Sequence, residues 1–289
     1  MTLETRPDAN DPHPYQTTRD SQSPGAAARP LRIVQISDPH LCETHDGTLL
    51  GLKTHDSLDA VLALVDDDAS TPDLIIATGD ITQDRSREAY ADFCQQIARF
   101  GCPVVWIPGN HDDADMMAEV APFPELQSKT FVIGDWKFIF LNTAVPGKVY
   151  GRLAAEELQL LQSELDNAVQ PHIAVCLHHH PITIRSRWLD KIGLRNADDF
   201  FAVTDRCDKV RAIVWGHIHQ EIDELRNNVR MLASPSTCVQ FKPESGSFAV
   251  GEQAPGYRWF DLFPDGRIET QVERADHIDF VIDMNSKGY

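Results

Sequence analysis

The chain has 289 residues, 42% of them hydrophobic and 24% charged, and a formal net charge of −18 at pH 7. That charge excludes a protein that meets nucleic-acid phosphates with a basic face, and no apolar run is long enough to cross a membrane or to form the core of a signal peptide. The six cysteines are scattered, with no Cys-x-x-Cys pair, so they read as reduced thiols and the expected compartment is the cytoplasm.

Residues 1–30 are rich in Thr, Asp, Ser, Pro and Gln and read as a disordered N-terminal tail. From Leu31 short β-branched runs alternate with helical periodicity. A strand over Leu31–Ile36 is followed by a helix over about 57–67, with Leu58, Val61, Leu62 and Val65 on one face and Asp56 as its N-cap. A strand at Leu74–Ala77 and a helix over about 87–100, stopped by Gly101, lead to a third strand at Val104–Ile107. This βαβαβ order predicts a parallel sheet. Thr130–Ile133 and Trp136–Leu141, separated by Gly134-Asp135, read as a hairpin. A helix over about 154–167 precedes strands at 172–177 and 211–215, which flank a loop-rich insert (182–198) and a short helix near 199–205. Beyond His219 the strands expected are Val229–Ala233, Tyr257–Leu262 and Arg267–Val272. The expected organisation is one α/β domain over 31–274, with 275–289 as a C-terminal tail.

Five of these strands end in chemistry. They run into Ser37-Asp38-Pro39-His40, Gly79-Asp80, Gly109-Asn110-His111-Asp112, His178-His179-His180-Pro181 and Gly216-His217-Ile218-His219. Open α/β sheets bind ligands at the carboxyl ends of their strands. The donor set there is Asp38, His40, Asp80, Asn110, one histidine of the 178–180 triplet, His217 and His219. Carboxylate and amide oxygens mixed with imidazoles, without thiolate, suit Mn, Fe, Zn or Co. Seven donors exceed the needs of one ion, whereas a bridging Asp80 between two ions about 3.5–4 Å apart uses them all. In extended segments, residues i and i+2 face one side, which would bring both members of Asp-x-His and His-x-His to one rim. Gly79, Gly109 and Gly216 leave room for tight turns before the donors. Asp84 and Asp112 read either as partners that orient ligands or as surface carboxylates. His45, His55, His172 and His277 read as ordinary surface or core histidines.

Asp38-Pro39-His40, Gly79-Asp80-Ile81-Thr82-Gln83-Asp84, Gly109-Asn110-His111-Asp112, His178-His179-His180-Pro181 and Gly216-His217-Ile218-His219 resemble the five blocks of the calcineurin-like metallophosphoesterases. Leu49-Leu50-Gly51, Leu194-Arg195-Asn196, Gly216–Glu221, Ser234–Pro243 and Ala254–Arg258 resemble the bacterial class III cyclic-AMP phosphodiesterases of that superfamily. The resemblance implies a four-layer α/β/β/α sandwich of two mixed sheets. It implies one ion held by Asp38, His40, Asp80 and His219 and another by Asp80, Asn110, His178 and His217, with Fe and Mn as the first choice and Zn or Co as alternatives. His178 is chosen from the triplet because it follows the strand end directly; His179 is the alternative. His40, Asp80, Asn110, His111 and His219 would also contact the substrate.

The reaction this implies is hydrolysis of 3′,5′-cyclic AMP to 5′-AMP, which lowers cellular cAMP. Two ions would supply hydroxide at neutral pH and neutralise charge at phosphorus. His111, beside Asn110 but not needed as a ligand, would protonate the departing 3′-oxygen, with Asp112 orienting its ring. Pro235–Phe241 could fold over the ions, and Phe241 or Trp188 stack on adenine. The alternatives are a broader phosphodiesterase acting on 2′,3′-cyclic nucleotides or glycerophosphodiesters, and a metal-free scaffold. The intact donor set argues against the scaffold. The expected partner is a small cyclic nucleotide, with neither nucleic acid nor membrane.

Overall fold

The computed structural model describes residues 29–68, 70–277, 279 and 281–283. The expectation for the N-terminal tail therefore lies, up to residue 28, outside the described residues, as does the expectation for the 275–289 tail at 278, 280 and 284–289. In chain order the strands are β1 (Leu31–Ile36), β2 (Thr48–Leu49), β3 (Leu52–Lys53), β4 (Leu74–Ala77), β5 (Val104–Trp106), β6 (Thr130–Ile133), β7 (Trp136–Phe140), β8 (His172–Cys176), β9 (Val210–Trp215), β10 (Ile222–Arg226), β11 (Val229–Ala233), β12 (Gly256–Leu262) and β13 (Ile268–Arg274). The helices are α1 (Thr54–Asp67), α2 (Arg87–Ile97), α3 (Ala114–Val120), α4 (Ala155–Asp166) and α5 (Ala197–Thr204).

Among the described residues, two large mixed sheets form the centre. One runs β13-β12-β1-β4-β5 and the other β10-β11-β9-β8-β7-β6. β1, β4 and β5 are parallel, as the βαβαβ order predicts, and β12–β13 adds an antiparallel hairpin beside β1. Alternation along the strands decides the layering, because successive side chains point to opposite faces. Ile33, Leu74, Ile76 and Val105 of the first sheet meet Phe138, Phe140, Ala174 and Val214 of the second in a dry core between the sheets. Val34, Ile36, Ile75 and Ala77 face the other way, onto Leu58, Val61 and Leu62 of α1 and Tyr90 and Phe93 of α2. Ile173, Val175 and Ile213 pack outward against Leu161 and Leu165 of α4 and Phe200 of α5. The result is the α/β/β/α sandwich that the resemblance implied.

Besides the short β2–β3 pair, which the sequence reading did not contain, three elements differ from it. Helix α1 begins at Thr54, with Lys53 rather than Asp56 at the N-cap position and no side-chain cap. Its first turn is buried through polar residues (Thr54, His55, Ser57), so apolar periodicity did not mark it. β10 was absent from the reading because Ile222-Asp223-Glu224-Leu225-Arg226 is an edge strand with Leu225 exposed. It turns into β11 through Asn227 and Asn228, both at positive φ (51° and 67°), the backbone that a two-residue hairpin turn requires. The seven-residue α3 was also missed. It is organised by Asp113, whose carboxylate accepts from the N–H groups of Asp115 and Met116. At the other end, Ala275 is fully buried in the core, and Ile282 packs on the second sheet's outer cluster. Beyond Ala275 the other described residues of this segment are exposed, Val281 among them, apart from the partly buried Ile282.

Candidate metal centre

The carboxyl ends of β1, β4, β5, β8 and β9 come together at one rim, where the two sheets meet. The loops are stitched by backbone: Asp38 N–H donates to the Gly79 carbonyl and His40 N–H to the Asp80 carbonyl, each at 3.0 Å. Asp38, His40, Asp80, His178, His217 and His219 are all buried, and Asn110 is half-buried. The structure brings all seven predicted donors to this rim.

The expected route to convergence was not the one used. Asp38, His40, Asp80, His217 and His219 have φ of 53°, 49°, 50°, 69° and 49°, so the Asp-x-His and His-x-His pairs are not extended. Each pair is aimed by left-handed residues in a tight turn, a backbone that costs energy and persists where the surroundings over-determine it. The glycines fit the expectation. A Cβ on Gly109 would stand 2.1 Å from Asp80 Oδ1, and one on Gly216 would stand 2.6 Å from Asp38 Oδ2. Gly79 has φ +94° and lies against the His178 ring.

Each imidazole is oriented by an acceptor behind it. His178 Nδ1–H donates to the Thr78 carbonyl (2.7 Å) and His219 Nδ1–H to the Val239 carbonyl (2.7 Å). His40 Nδ1 pairs with Gln83 Oε1 (2.8 Å), and His217 Nε2–H reaches the Ile192 carbonyl (3.1 Å). With one nitrogen spent on an acceptor, a neutral ring presents a lone pair at the other. The Nε2 atoms of His40 and His219 stand 3.2 Å apart, and His219 Nε2 lies 3.4 Å from Asp38 Oδ1. Asp80 Oδ2 lies 3.3 Å from His178 Nε2 and 3.8 Å from His40 Nε2. His178 Nε2 and Asn110 Oδ1 are buried without any hydrogen-bond partner. With the rings neutral these are lone-pair atoms crowded closely, some of them orphaned, and they repel one another unless protons or metal cations lie among them. The donor set therefore fits metal ions, with Asp80 Oδ2 between the two halves.

The three histidines of the triplet differ in their partners. His179 uses both nitrogens, on Thr143 Oγ1 (2.8 Å) and the Val149 carbonyl (3.2 Å). His180 has neither ring nitrogen hydrogen-bonded, but it is buried against Gly193 and stacks on His217. Only His178 turns an orphaned nitrogen toward Asp80. The electrostatics of the ion-free rim follow from burial and crowding. Burial opposes charge on His178, yet the Asp80 and Asp38 carboxylates outweigh it and push the imidazole up to about 9. Burial drives His40 down to about 3, and burial with the neighbouring His178 takes His180 to about 4. Burial also works against the Asp80 carboxylate, but His178, His111 and His40 hold it well below the usual range.

His111 is half-buried at the mouth. Its backbone N–H donates to Asp80 Oδ1 (2.8 Å), and its ring meets that of His40 edge-on at 4.9 Å. Arg85 holds the carbonyls of His111 and Asn110 from outside. Asp112 does not orient His111. Its carboxylate accepts from the N–H groups of Gly109, Ile81 and Thr82 and from the Tyr90 hydroxyl, which ties the β4 and β5 loops to α2. Asp84 likewise binds backbone, accepting from Glu43 and Ser86. The segment Ser234–Phe241 is a buried support, not a cover. Ser236 Oγ donates to the Asp38 carbonyl, and Thr237 N–H to the Ser37 carbonyl. Phe241 is 1% exposed and stacks on His219 at 4.1 Å, so its face is already taken; Trp188 packs edge-on to it. Neither presents a stacking surface for a base in this arrangement. Gln83 orients His40 through its side chain, while Thr78 and Val239 act through carbonyls, which leave no side-chain signal in a sequence.

The profile of the family described as calcineurin-like phosphoesterase matches residues 31–221, a stretch that contains all five rim motifs. The chain is 40% identical to the 3′,5′-cyclic adenosine monophosphate phosphodiesterase CpdA of Pseudomonas aeruginosa, over 94% of this chain and 100% of that protein. The protein of the same name from Escherichia coli (strain K12) is 39% identical, over 92% and 98%. Among solved structures, a dimetal phosphatase from Danio rerio aligns with a TM-score of 0.66 at 13% identity, over 90% of this chain and 100% of that one. Purple acid phosphatase from yellow lupin seeds aligns with a TM-score of 0.60 at 13% identity, over 91% and 54%. At such identities the two structures bear on the fold alone. The family profile runs through every strand end that the fold gathers at the rim, and by it the chain belongs to the calcineurin-like phosphoesterases.

Proposed function

We propose that this protein is a 3′,5′-cyclic-AMP phosphodiesterase that hydrolyses its substrate to 5′-AMP at a rim holding two transition-metal ions. The observation that carries the substrate is likeness along the full length to proteins named for that activity, one of them covered over 100% of its length. The observation that carries the ions is the set of crowded and orphaned acceptors around Asp80. One ion is assigned to Asp38, His40, Asp80 and His219, the other to Asp80, Asn110, His178 and His217. Oxygen and imidazole donors without thiolate suit Mn, Fe, Zn or Co, and the likeness to class III phosphodiesterases puts Fe and Mn first. The six cysteines are all thiols, three of them buried, which supports a cytoplasmic home; no helix among the described residues is long and apolar enough to cross a membrane.

When bound, the ions supply the Lewis acidity that makes water nucleophilic near neutral pH and offsets charge at phosphorus. The chain's own residues do the rest. Carbonyls at Thr78, Val239 and Ile192 hold three imidazoles in one tautomer, so their ligand nitrogens need no reorganisation. His111, at the mouth, is placed to donate a proton to the 3′-oxygen as its bond to phosphorus breaks. Without that proton the leaving group is an alkoxide. His40 and His219 would flank the substrate phosphate.

The test is steady-state hydrolysis of 3′,5′-cAMP, 3′,5′-cGMP, 2′,3′-cAMP and bis(p-nitrophenyl) phosphate by metal-reconstituted enzyme, with Asp80→Ala beside it. Preference for 3′,5′-cAMP that disappears in the variant is expected. Turnover of the synthetic diester with negligible cAMP hydrolysis would retain the metallophosphoesterase and reject the substrate. His111→Ala should keep both ions and lose about 10²–10⁴-fold in kcat; loss of metal with the rate per occupied site intact would reject its role.

A further inference from the structure

Away from the rim, three side chains on separate segments converge between the first two helices. They are His45 from the loop after β1, His55 from the first turn of α1, and Asp92 from α2. Their candidate ligand atoms lie within 4.8 Å of one another. His45 Nε2 stands 3.1 Å from Asp92 Oδ2. The imidazoles of His45 and His55 are stacked, 18° from parallel with centroids 4.2 Å apart.

His55 carries the argument. It is 1% exposed, and its Nε2–H donates to the Cys42 carbonyl at 2.9 Å. A carbonyl can only accept, so the proton is on Nε2 and Nδ1 is a lone-pair atom. That Nδ1 is buried without a hydrogen-bond partner. An interior acceptor with no donor is uncommon and calls for something electropositive beside it. Imidazole orphans of this kind also mark the rim, at His178 Nε2.

We propose that His45, His55 and Asp92 form a third, mononuclear site for a first-row transition-metal ion, zinc in the first instance, separate from the two ions of the rim. Two imidazoles and one carboxylate are a zinc-type donor set that leaves a fourth position for water. The 3.1 Å between His45 Nε2 and Asp92 Oδ2 suits two ligand atoms each about 2.1 Å from a shared ion. Bonds in the plane of each ring require the stacked pair to splay. The His45 side chain is 73% exposed and has room to turn. An ion here would tie the loop that leaves His40 to both α1 and α2. That loop already reaches the rim's neighbourhood through Glu43 N–H on Asp84.

The test counts zinc bound per chain at equal free Zn²⁺ in the full-length protein, in the variant His45→Gln/Asp92→Asn, and in Asp80→Asn. Both residues of the double variant are at least partly exposed, so the core is untouched. Wild type should hold one equivalent more than the double variant, while the two hydrolyse cAMP at equal rates. Asp80→Asn should lose rim ions yet keep that extra equivalent, so failure of the rim assignment shows in this comparison and not in the first. Co²⁺ titration gives an independent readout: visible absorption from the third site should be present in Asp80→Asn and absent when the double variant is combined with it. Equal zinc in wild type and the double variant, or cobalt bands that survive the combined substitution, would overturn the proposal.

Discussion

His178 and His179 are neighbours of one residue type, both fully buried, yet their hydrogen bonds give them opposite prospects on substitution. His178→Gln removes the nitrogen facing Asp80 and should abolish occupancy of one ion together with turnover, read by metal content and kcat. His179→Gln deletes bonds to Thr143 and Val149. It should cost about 1–3 kcal/mol in urea unfolding while both ions stay bound. Loss of metal in the His179 variant alone would reverse the choice. Gly109→Ala tests the close approach of backbone to Asp80. Its Cβ would enter the space of Asp80 Oδ1, and displacement by even an ångström should lower kcat about 10²-fold, with circular dichroism unchanged.

Elements are tied together here by polar clamps as well as by the core. Asp112 gathers three backbone N–H groups from two loops and the Tyr90 hydroxyl from α2. Asp112→Ala would leave those buried donors unsatisfied. It should reduce unfolding free energy by about 3 kcal/mol or more, whereas His111→Ala, at the half-buried mouth, should leave the urea midpoint nearly unchanged. Equal midpoints in the two variants would show that Asp112 is not a clamp. Arg258 plays a similar part across the sheets. It starts on β12 in the first sheet and donates to the carbonyls of Ala233 and Ile222 in the second, at 3.0 and 3.1 Å. Burial lowers its guanidinium to about 10, a cost that those carbonyls and nearby Glu221 offset.

At the scale of the whole molecule, ions and fold are coupled because the rim belongs to both sheets. In the ion-free protein His178 is raised to about 9. A raised imidazole contributes stability that is full below its unfolded value near 6.5 and is lost as pH rises through 9. Near pH 7 it is therefore protonated, and an ion that takes Nε2 must displace that proton. Loading at neutral pH should release protons, and affinity should weaken as pH falls; calorimetry in two buffers of different ionisation enthalpy measures this. Heats independent of buffer would remove His178 from the ligand set. Chelation should lower the melting temperature, since ligands of the native state stabilise it by about 4 kcal/mol at a thousandfold excess over Kd.

Periodicity and strand-end polarity in the chain were enough for the parallel βαβαβ order, for the rim residues and for the glycines that make space there. These are local properties: apolar spacing selects helix or strand, and Asp, His and Asn gathered after several buried strands mark a polar rim, although some of them, such as Asp112 and His179, serve structure there. Other features depended on chain segments distant in sequence. Which histidine of 178–180 faces Asp80 was decided by the Thr78 carbonyl a hundred residues earlier, and His179 was diverted by Thr143 and Val149. Asp112 was diverted from His111 by donors on two other elements, and Phe241 was covered by His219. A side chain's partners are set by which surfaces the fold presses together, and a carbonyl acts alike whatever residue carries it. The sequence therefore named the donors, and tertiary structure decided which atom of each would serve.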